Sequence, residues 1–136
     1  MEEAREAEGR SPDRSIVERA VLAAIADGKV ERYWVATEGD ELVGSSSVYS
    51  EWSDWNAAPY WWLQSFYLVP HARGRGLAAR MIDHIEGEAR AAGAVELRLY
   101  VHRDNARAAR AYEKAGFADQ PYRVLAKPLT PRPAGR

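Results

Sequence analysis

The stretch Arg73-Gly74-Arg75-Gly76-Leu77-Ala78 stands between a β-prone run, 60–69, and a helical pattern, 77–92. The run ends at Pro70, and the helix gathers Leu77, Met81, Ile82, Ile85 and Ala89 on one face before Gly93 closes it. A strand that turns into a helix through glycines can bring several backbone N–H groups to one point, because glycine accepts φ > 0 and close approach. The helix start adds unpaired amides and the positive end of its dipole. A doubly charged pyrophosphate suits such a site, with Arg73 and Arg75 as counter-charges. The plainer alternative is a tight turn whose arginines are solvated. The stretch is not a triphosphate loop, since it has no Gly-Lys-Ser/Thr. Nor does it match the dinucleotide pattern, which needs a third glycine and a distal acid.

Outward from this turn, helix and strand patterns alternate. Residues 1–10 are charged and Ala/Glu-rich, with little apolar surface to hold them, so that segment is expected to be flexible. Ser11 as cap and Pro12 at the first helical position open a helix whose Ile16, Val17, Ala20, Val21, Ala24 and Ile25 recur every three or four residues, until Gly28. Residues 32–37 and 42–49 read as strands joined by the Glu38-Gly39-Asp40 turn, and 50–59 as a loop. Past the turn and its helix, 95–101 alternates as a strand, 105–115 is an Ala/Arg-rich helix closed by Gly116, and 118–129 returns as a final strand. The order α-β-β-β-α-β-α-β predicts one α/β domain over 11–129, followed by a loose tail at 130–136. Only the third and fourth strands are joined through a helix, so that pair is expected to run parallel.

With 136 residues, 46% of them hydrophobic, the chain suffices for one cored domain and not for two. A net charge of −1 offers no bulk attraction to nucleic acid or to an anionic membrane. Without cysteine there is no disulfide, thiolate nucleophile or Cys-ligated metal, and His71, His84 and His102 lack ligand spacing, so no metal is expected. No apolar run approaches the roughly 20 residues of a membrane span, and the N-terminus is unlike a signal peptide. The expected location is the cytoplasm. Trp52, Trp55, Trp61 and Trp62 crowd into one short region, the single oddity of composition.

Two separated motifs carry a resemblance. Arg73, Gly76 and Ala78 fit the R-x-x-G-x-G/A signature of the GNAT N-acetyltransferases, and Phe66-Tyr67-Leu68-Val69-Pro70 is similar to the strand that precedes it. Asn105, Ala108 or Ala109, Tyr112, Gly116 and Phe117 resemble the family's N-x-x-A-x-x-x-Y-x-x-x-G-F segment. The resemblance covers about 30–129. It implies the acyl-CoA N-acyltransferase fold, a central mixed sheet flanked by helices, here without the family's usual first strand, for which 1–10 offers no candidate. It further implies acetyl-CoA as donor. The backbone of Leu68 and Val69 would pair with the pantetheine arm beside a β-bulge that splays two strands. The amides of Arg73, Gly74, Arg75, Gly76, Leu77 and Ala78 would hold the pyrophosphate. Asn105 would anchor the pantetheine side, and Tyr112 would stand near the thioester sulfur.

Direct transfer needs a neutral amine, and deprotonating an alkylamine of pKa about 10.4 costs roughly 4–5 kcal/mol at pH 7. The oxyanion needs a donor, for which the N–H of Leu68 or Val69 is the candidate. Tyr112 would protonate the departing thiolate, unless its ring only packs. No carboxylate lies in Leu63-Gln64-Ser65, so the base is sought in Glu51 or Asp54, with Trp52 beside it to raise its pKa by desolvation. Trp52, Trp55 and Trp62 would wall an acceptor pocket for an apolar, aromatic or cationic amine. Core packing and a homodimer interface are the other uses of such residues. Arg107 or Arg110 would reach the adenosine phosphates, against a solvated helix face. The leading function is acetylation of a primary amine on a small molecule or peptide. An acetyl-CoA-binding module without turnover is the alternative, and a nucleic-acid binder fits the charge poorly.

Overall fold

The first hairpin turns on two residues, Gly39 and Asp40, with Gly39 at φ 58°, the left-handed geometry that suits a tight antiparallel turn. A computed structural model describes residues 13–28 and 32–131. Helix α1 (Arg14–Ala26) precedes strands β1 (Arg32–Glu38), β2 (Glu41–Ser53) and β3 (Ala58–Leu68). A 3-10 turn at Pro70–Ala72 leads to α2 (Leu77–Ala91), β4 (Glu96–Leu99) and α3 (Ala106–Lys114). The sheet order is β1-β2-β3-β4, with β1/β2 and β2/β3 antiparallel and β3/β4 parallel, as the helical crossover requires. The fold is therefore α+β, a mixed sheet flanked by helices.

The core lies between the sheet and α2. Val48, Trp61 and Leu63 from the strands meet Ile85 and Ala89, with Trp34, Phe66, Leu97, Leu99 and Phe117 packed around them. The apolar stripe of α2 buries Met81, Ile82, Ile85 and Ala89 against the sheet. Helix α1 is held less firmly: of its apolar stripe only Ala24 is buried, and Ile16 and Ile25 stay exposed. Its cap is Asp13, whose carboxylate accepts from the Ser15 N–H at 2.8 Å, in place of the expected Ser11 start. Ser11, Pro12 and the segment 1–10 lie outside the described residues, and so does the question of a strand there.

Two expectations are overturned. Residues 50–59 are not a loop: β2 and β3 continue through Glu51↔Tyr60, Trp52↔Pro59 and Ser53↔Ala58, leaving a four-residue turn at 54–57. Its polar residues serve the hairpin. Ser53 Oγ donates to the Tyr60 hydroxyl at 3.0 Å, and Asn56 Nδ2 donates to both oxygens at 3.0 and 2.8 Å. Residues 118–129 do not form a strand: they run exposed and unpaired among the described residues. Pro121 and Pro128 each remove a ladder donor and leave a bracketed stretch of six residues.

Candidate active site

Strand β3 keeps β4 for four residues only, from Tyr60↔Glu96 to Leu63↔Leu99. At that point the ladder with β2 slips as well. Val48 faces Leu63 but Ser47 faces Ser65, so Gln64 is an extra residue with no partner, a β-bulge. Beyond it, residues 65–68 stay on β2 while, among the described residues, no strand accompanies them on the β4 side. The seam between β3 and β4 is therefore open from Gln64 onward.

The hydrogen bonds at the end of β3 tell which groups face that seam. Val69 N–H donates to the Val43 carbonyl of β2 at 2.9 Å, and the Val69 carbonyl accepts from Ala72 N–H at 3.0 Å. Both polar backbone groups of Val69 are engaged, which corrects its expected pairing with a pantetheine arm. Alternation along the strand then turns the N–H and C=O of Leu68 away from β2, into the seam. The Leu68 carbonyl takes Arg73 Nε at 3.0 Å. Across the β2 side stands Gly44, where an added Cβ would lie 2.7 Å from Leu68 Cδ2, 2.9 Å from the Tyr67 carbonyl oxygen and 3.4 Å from Met81 Sδ of α2. Only glycine lets strand end and helix close on each other here.

The turn that follows has the geometry of an anion site. Gly74 and Gly76 sit at φ 77° and 78°, and a Cβ on either would meet nothing within 4 Å. Gly76 is the N-cap of α2, and no side chain caps that end. The first intrahelical bond is Arg80 N–H to the Gly76 carbonyl at 3.2 Å, so among the described residues the amides of Leu77, Ala78 and Ala79 have no acceptor. The Arg73 amide is used, donating to Pro70 at 3.2 Å. The arginine side chains are less available than expected. Arg75 pairs with Glu38 at the end of β1, and Arg73 lies on Leu68 with its Cζ 5.5 Å from the Tyr67 ring centre. An exposed ion pair of this kind is worth only about 0–1 kcal/mol, so a diphosphate can compete for Arg75.

The second motif converges on the same seam. Tyr112 of α3 meets Phe66 edge-on at 6.3 Å between ring centres and Phe117 at 5.8 Å. Phe66 belongs to the part of β3 that β4 has left, so Tyr112 stands at the opening. Asn105 is the N-cap of α3: its Oδ1 accepts from Ala108 N–H at 3.2 Å, and its Nδ2 has no partner among the described residues. One end of the amide caps the helix and the other remains a donor.

Of the aromatic candidates, the structure gathers some and separates others. Trp62 stacks on Tyr49 (6.1 Å) and on Tyr100 (4.5 Å), and its Nε1–H donates to Glu51 Oε2 at 2.6 Å. Successive strand residues point to opposite faces, so the ring serving Glu51 is Trp62 and not the adjacent Trp52. Trp52 is 63% exposed and Trp55, in the hairpin turn beside Asp54, is 97% exposed. Burial raises the Tyr49 pKa above the ordinary tyrosine value, helped by the charges of Tyr100 and Glu51 and by a hydrogen bond with Tyr100. Arg98 lies with Cζ 3.6 Å from the Tyr60 ring centre and 5.7 Å from that of Trp62, tied to Glu96 at 2.7 Å. Sequence reasoning missed Gln64, Gly44, Glu38 and the Tyr49–Trp62–Tyr100 stack. Only the glycine among small residues in β2 hinted at a close contact.

An opened parallel seam thus runs into an uncapped helix start. The chain belongs to the acetyltransferase (GNAT) family, whose model matches residues 1–117. It is similar to the uncharacterized N-acetyltransferase YhfO of Bacillus subtilis strain 168, at 28% identity over 85 residues, covering 62% of this chain and 57% of that protein. The match thus spans little more than half of the relative's length. Among solved structures it resembles a possible acetyltransferase from Clostridium difficile 630, with TM-score 0.86 and 27% identity over 93% of this chain and 84% of that one. The fold is shared with a ribosomal-protein-alanine N-acetyltransferase from Brucella melitensis, with TM-score 0.70 and 18% identity over 85% of each chain. Among the described residues no helix is long and apolar enough to cross a membrane.

Proposed function

We propose that this chain transfers the acetyl group of acetyl-CoA to a primary amine of a small molecule or peptide by direct attack in a ternary complex. The observation that carries the reading is the seam. It starts at the bulge, passes the inward-turned backbone of Leu68 and ends at the bare amides of α2. A strand rises about 3.3 Å per residue, so roughly 16 Å of seam separates Gln64 from Val69. Pyrophosphate at the turn and an extended pantetheine arm then bring the thioester to the bulge, where Tyr112 waits against Phe66.

At that end the amine nitrogen attacks the thioester carbonyl, and the oxyanion accepts from the bulge backbone, whose extra residue leaves the regular ladder. As the C–S bond breaks, Tyr112 gives its proton to the sulfur and recovers one from the spent amine through solvent. Glu51 takes the acceptor's proton by way of water, because two residues and the Trp62 ring separate it from the bulge. The stack of Tyr49, Trp62 and Tyr100 beside the Glu51 carboxylate suits an amine with an apolar or aromatic body.

Free-thiol release from acetyl-CoA against a panel of amines tests this. Turnover with at least one amine, depressed in Glu51→Gln on the acidic side of the pH–rate profile, is the expected result. CoA binding without turnover on any amine would leave a donor-binding module.

A further inference from the structure

Strand residues alternate between faces, so the side chains turned away from the core set of Val48, Trp61, Leu63, Leu97 and Leu99 form a second surface of the sheet. On it the ladders Glu51↔Tyr60, Tyr60↔Glu96 and Trp62↔Arg98 bring charges and aromatic rings together across three strands. Arg98 is held firmly there. Its Nε donates to Glu96 Oε2 at 2.7 Å, and its Cζ lies 3.6 Å from the centre of the Tyr60 ring. That ring is itself pinned, since its hydroxyl accepts from Ser53 Oγ at 3.0 Å and from Asn56 Nδ2 at 2.8 Å. The Arg98 side chain is only 21% exposed.

A clamp between strands would need only the stem and Nε. The terminal nitrogens of the guanidinium carry the remaining N–H groups, and among the described residues no acceptor meets them. A planar fork of donors, laid flat on a fixed ring and largely withdrawn from water, matches a carboxylate. Glu51 stands on the same surface, with one oxygen taken by Trp62 Nε1 at 2.6 Å. Its charge opposes a purely anionic ligand, whereas a molecule that carries both signs complements Glu51 and Arg98 together. Arg98 pairs with Trp62, two residues before Gln64, and its guanidinium reaches back to Tyr60, four residues before it. At about 3.3 Å per residue the fork lies roughly 7–13 Å from the bulge along the strand.

We propose that the acceptor is an ω-amino carboxylate, whose amine meets the thioester at the bulge while its carboxylate lies on the terminal nitrogens of Arg98. The inference rests on the acetyl-transfer reading for the place where the amine reacts. The stacked rings of Trp62 and Tyr100 lie between the two ends and carry the apolar stem. An α-amino acid is too short, because its two charged groups share one carbon. A free ω-amino acid and the carboxyl end of a short peptide present the same chemistry.

Titration calorimetry on the full chain with saturating CoA compares 6-aminohexanoate with hexylamine for the first source, and glycylglycine with glycylglycinamide for the second. In at least one pair the carboxylate is expected to bind roughly ten- to hundredfold more tightly, the worth of charge-assisted hydrogen bonds to one carboxylate. Glycine should show no such gain over methylamine. Arg98→Gln should erase the preference, and the comparisons on the parent chain stand without it if that variant fails to fold. No preference in either pair, an equal preference for glycine, or a preference that survives in folded Arg98→Gln would each overturn the inference. Thiol release from acetyl-CoA is read separately. A binding preference without release from any amine would remove the transfer reading and keep the carboxylate site, and release without a preference would do the reverse.

Discussion

Gly44→Ala adds one methyl group at the place where β2, the end of β3 and α2 meet. That carbon would sit 2.7 Å from Leu68 Cδ2 and 2.9 Å from the Tyr67 carbonyl oxygen. Ordinary contact is about 3.5–4.0 Å, so the neighbours must retreat by roughly 0.5–1 Å. Leu68 is only 6% exposed and the second contact is backbone, so the strand end itself has to move. Overpacking of this kind costs about 1–3 kcal/mol, inside a domain stability of about 5–15 kcal/mol, and the variant stays folded. Its melting temperature should fall by roughly 3–12 °C. The displaced strand end also carries the Leu68 backbone that faces the seam. Weakening one hydrogen bond there, worth about 0.5–1.5 kcal/mol, lowers CoA affinity about two- to twelvefold. Thermal melting followed by circular dichroism reads the first effect and titration calorimetry with CoA the second. Unchanged melting would refute the packing argument. Lowered melting with wild-type CoA affinity would detach the strand end from the donor site.

Three further outcomes are expected. Tyr112→Phe keeps the ring contacts with Phe66 and Phe117, and kcat for thiol release should drop by about 10²–10⁴, the usual worth of a positioned acid; a full kcat across the pH range would remove that role. Glu38→Ala frees Arg75 and should tighten CoA binding about two- to fivefold at low ionic strength, with the gain fading as salt screens it; calorimetry at two salt concentrations showing no gain at either would place Arg75 away from the phosphates. Because the folded-state pKa of Tyr49 is raised, its share of stability is intact below the ordinary tyrosine value of 10.0 and is lost as pH climbs through the higher folded value. Melting of Tyr49→Phe should accordingly decline less steeply than that of the parent above pH 10, and identical slopes would contradict the burial of that hydroxyl.

Where side-chain chemistry and backbone geometry coincide, the sequence was readable. Helix α2 follows from its stripe at Met81, Ile82, Ile85 and Ala89, and the strand-to-helix turn from Gly74 and Gly76, where φ is positive. The parallel β3/β4 pair followed from a single intervening helix. The hairpin at 54–57 was hidden because Ser53 and Asn56 look like loop residues until Tyr60 is found bonding them. The bulge at Gln64 has no signature in its own side chain, since it arises from a count mismatch between two strands. The partner of Glu51 was misassigned for a related reason. Adjacency in sequence suggested Trp52, whereas the pleat and the cross-strand ladder deliver Trp62. The final strand at 118–129 was over-read, because β propensity says nothing about whether a neighbour is there to pair with.

The bulge at Gln64 also acts as a frameshift written in space. Before it, odd-numbered Trp61 and Leu63 face the core; after it, even-numbered Phe66 and Leu68 do, against Ser46 and Gly44. Removing Gln64 would restore a continuous ladder: Ser65 would follow Leu63 opposite Ser47, while Phe66 and Leu68 kept Ser46 and Gly44 as partners. One residue of apparently ordinary composition thus lets the odd-numbered first half of β3 and its even-numbered second half share one face. A single deletion elsewhere in the strand would turn the residues beyond it to the opposite face.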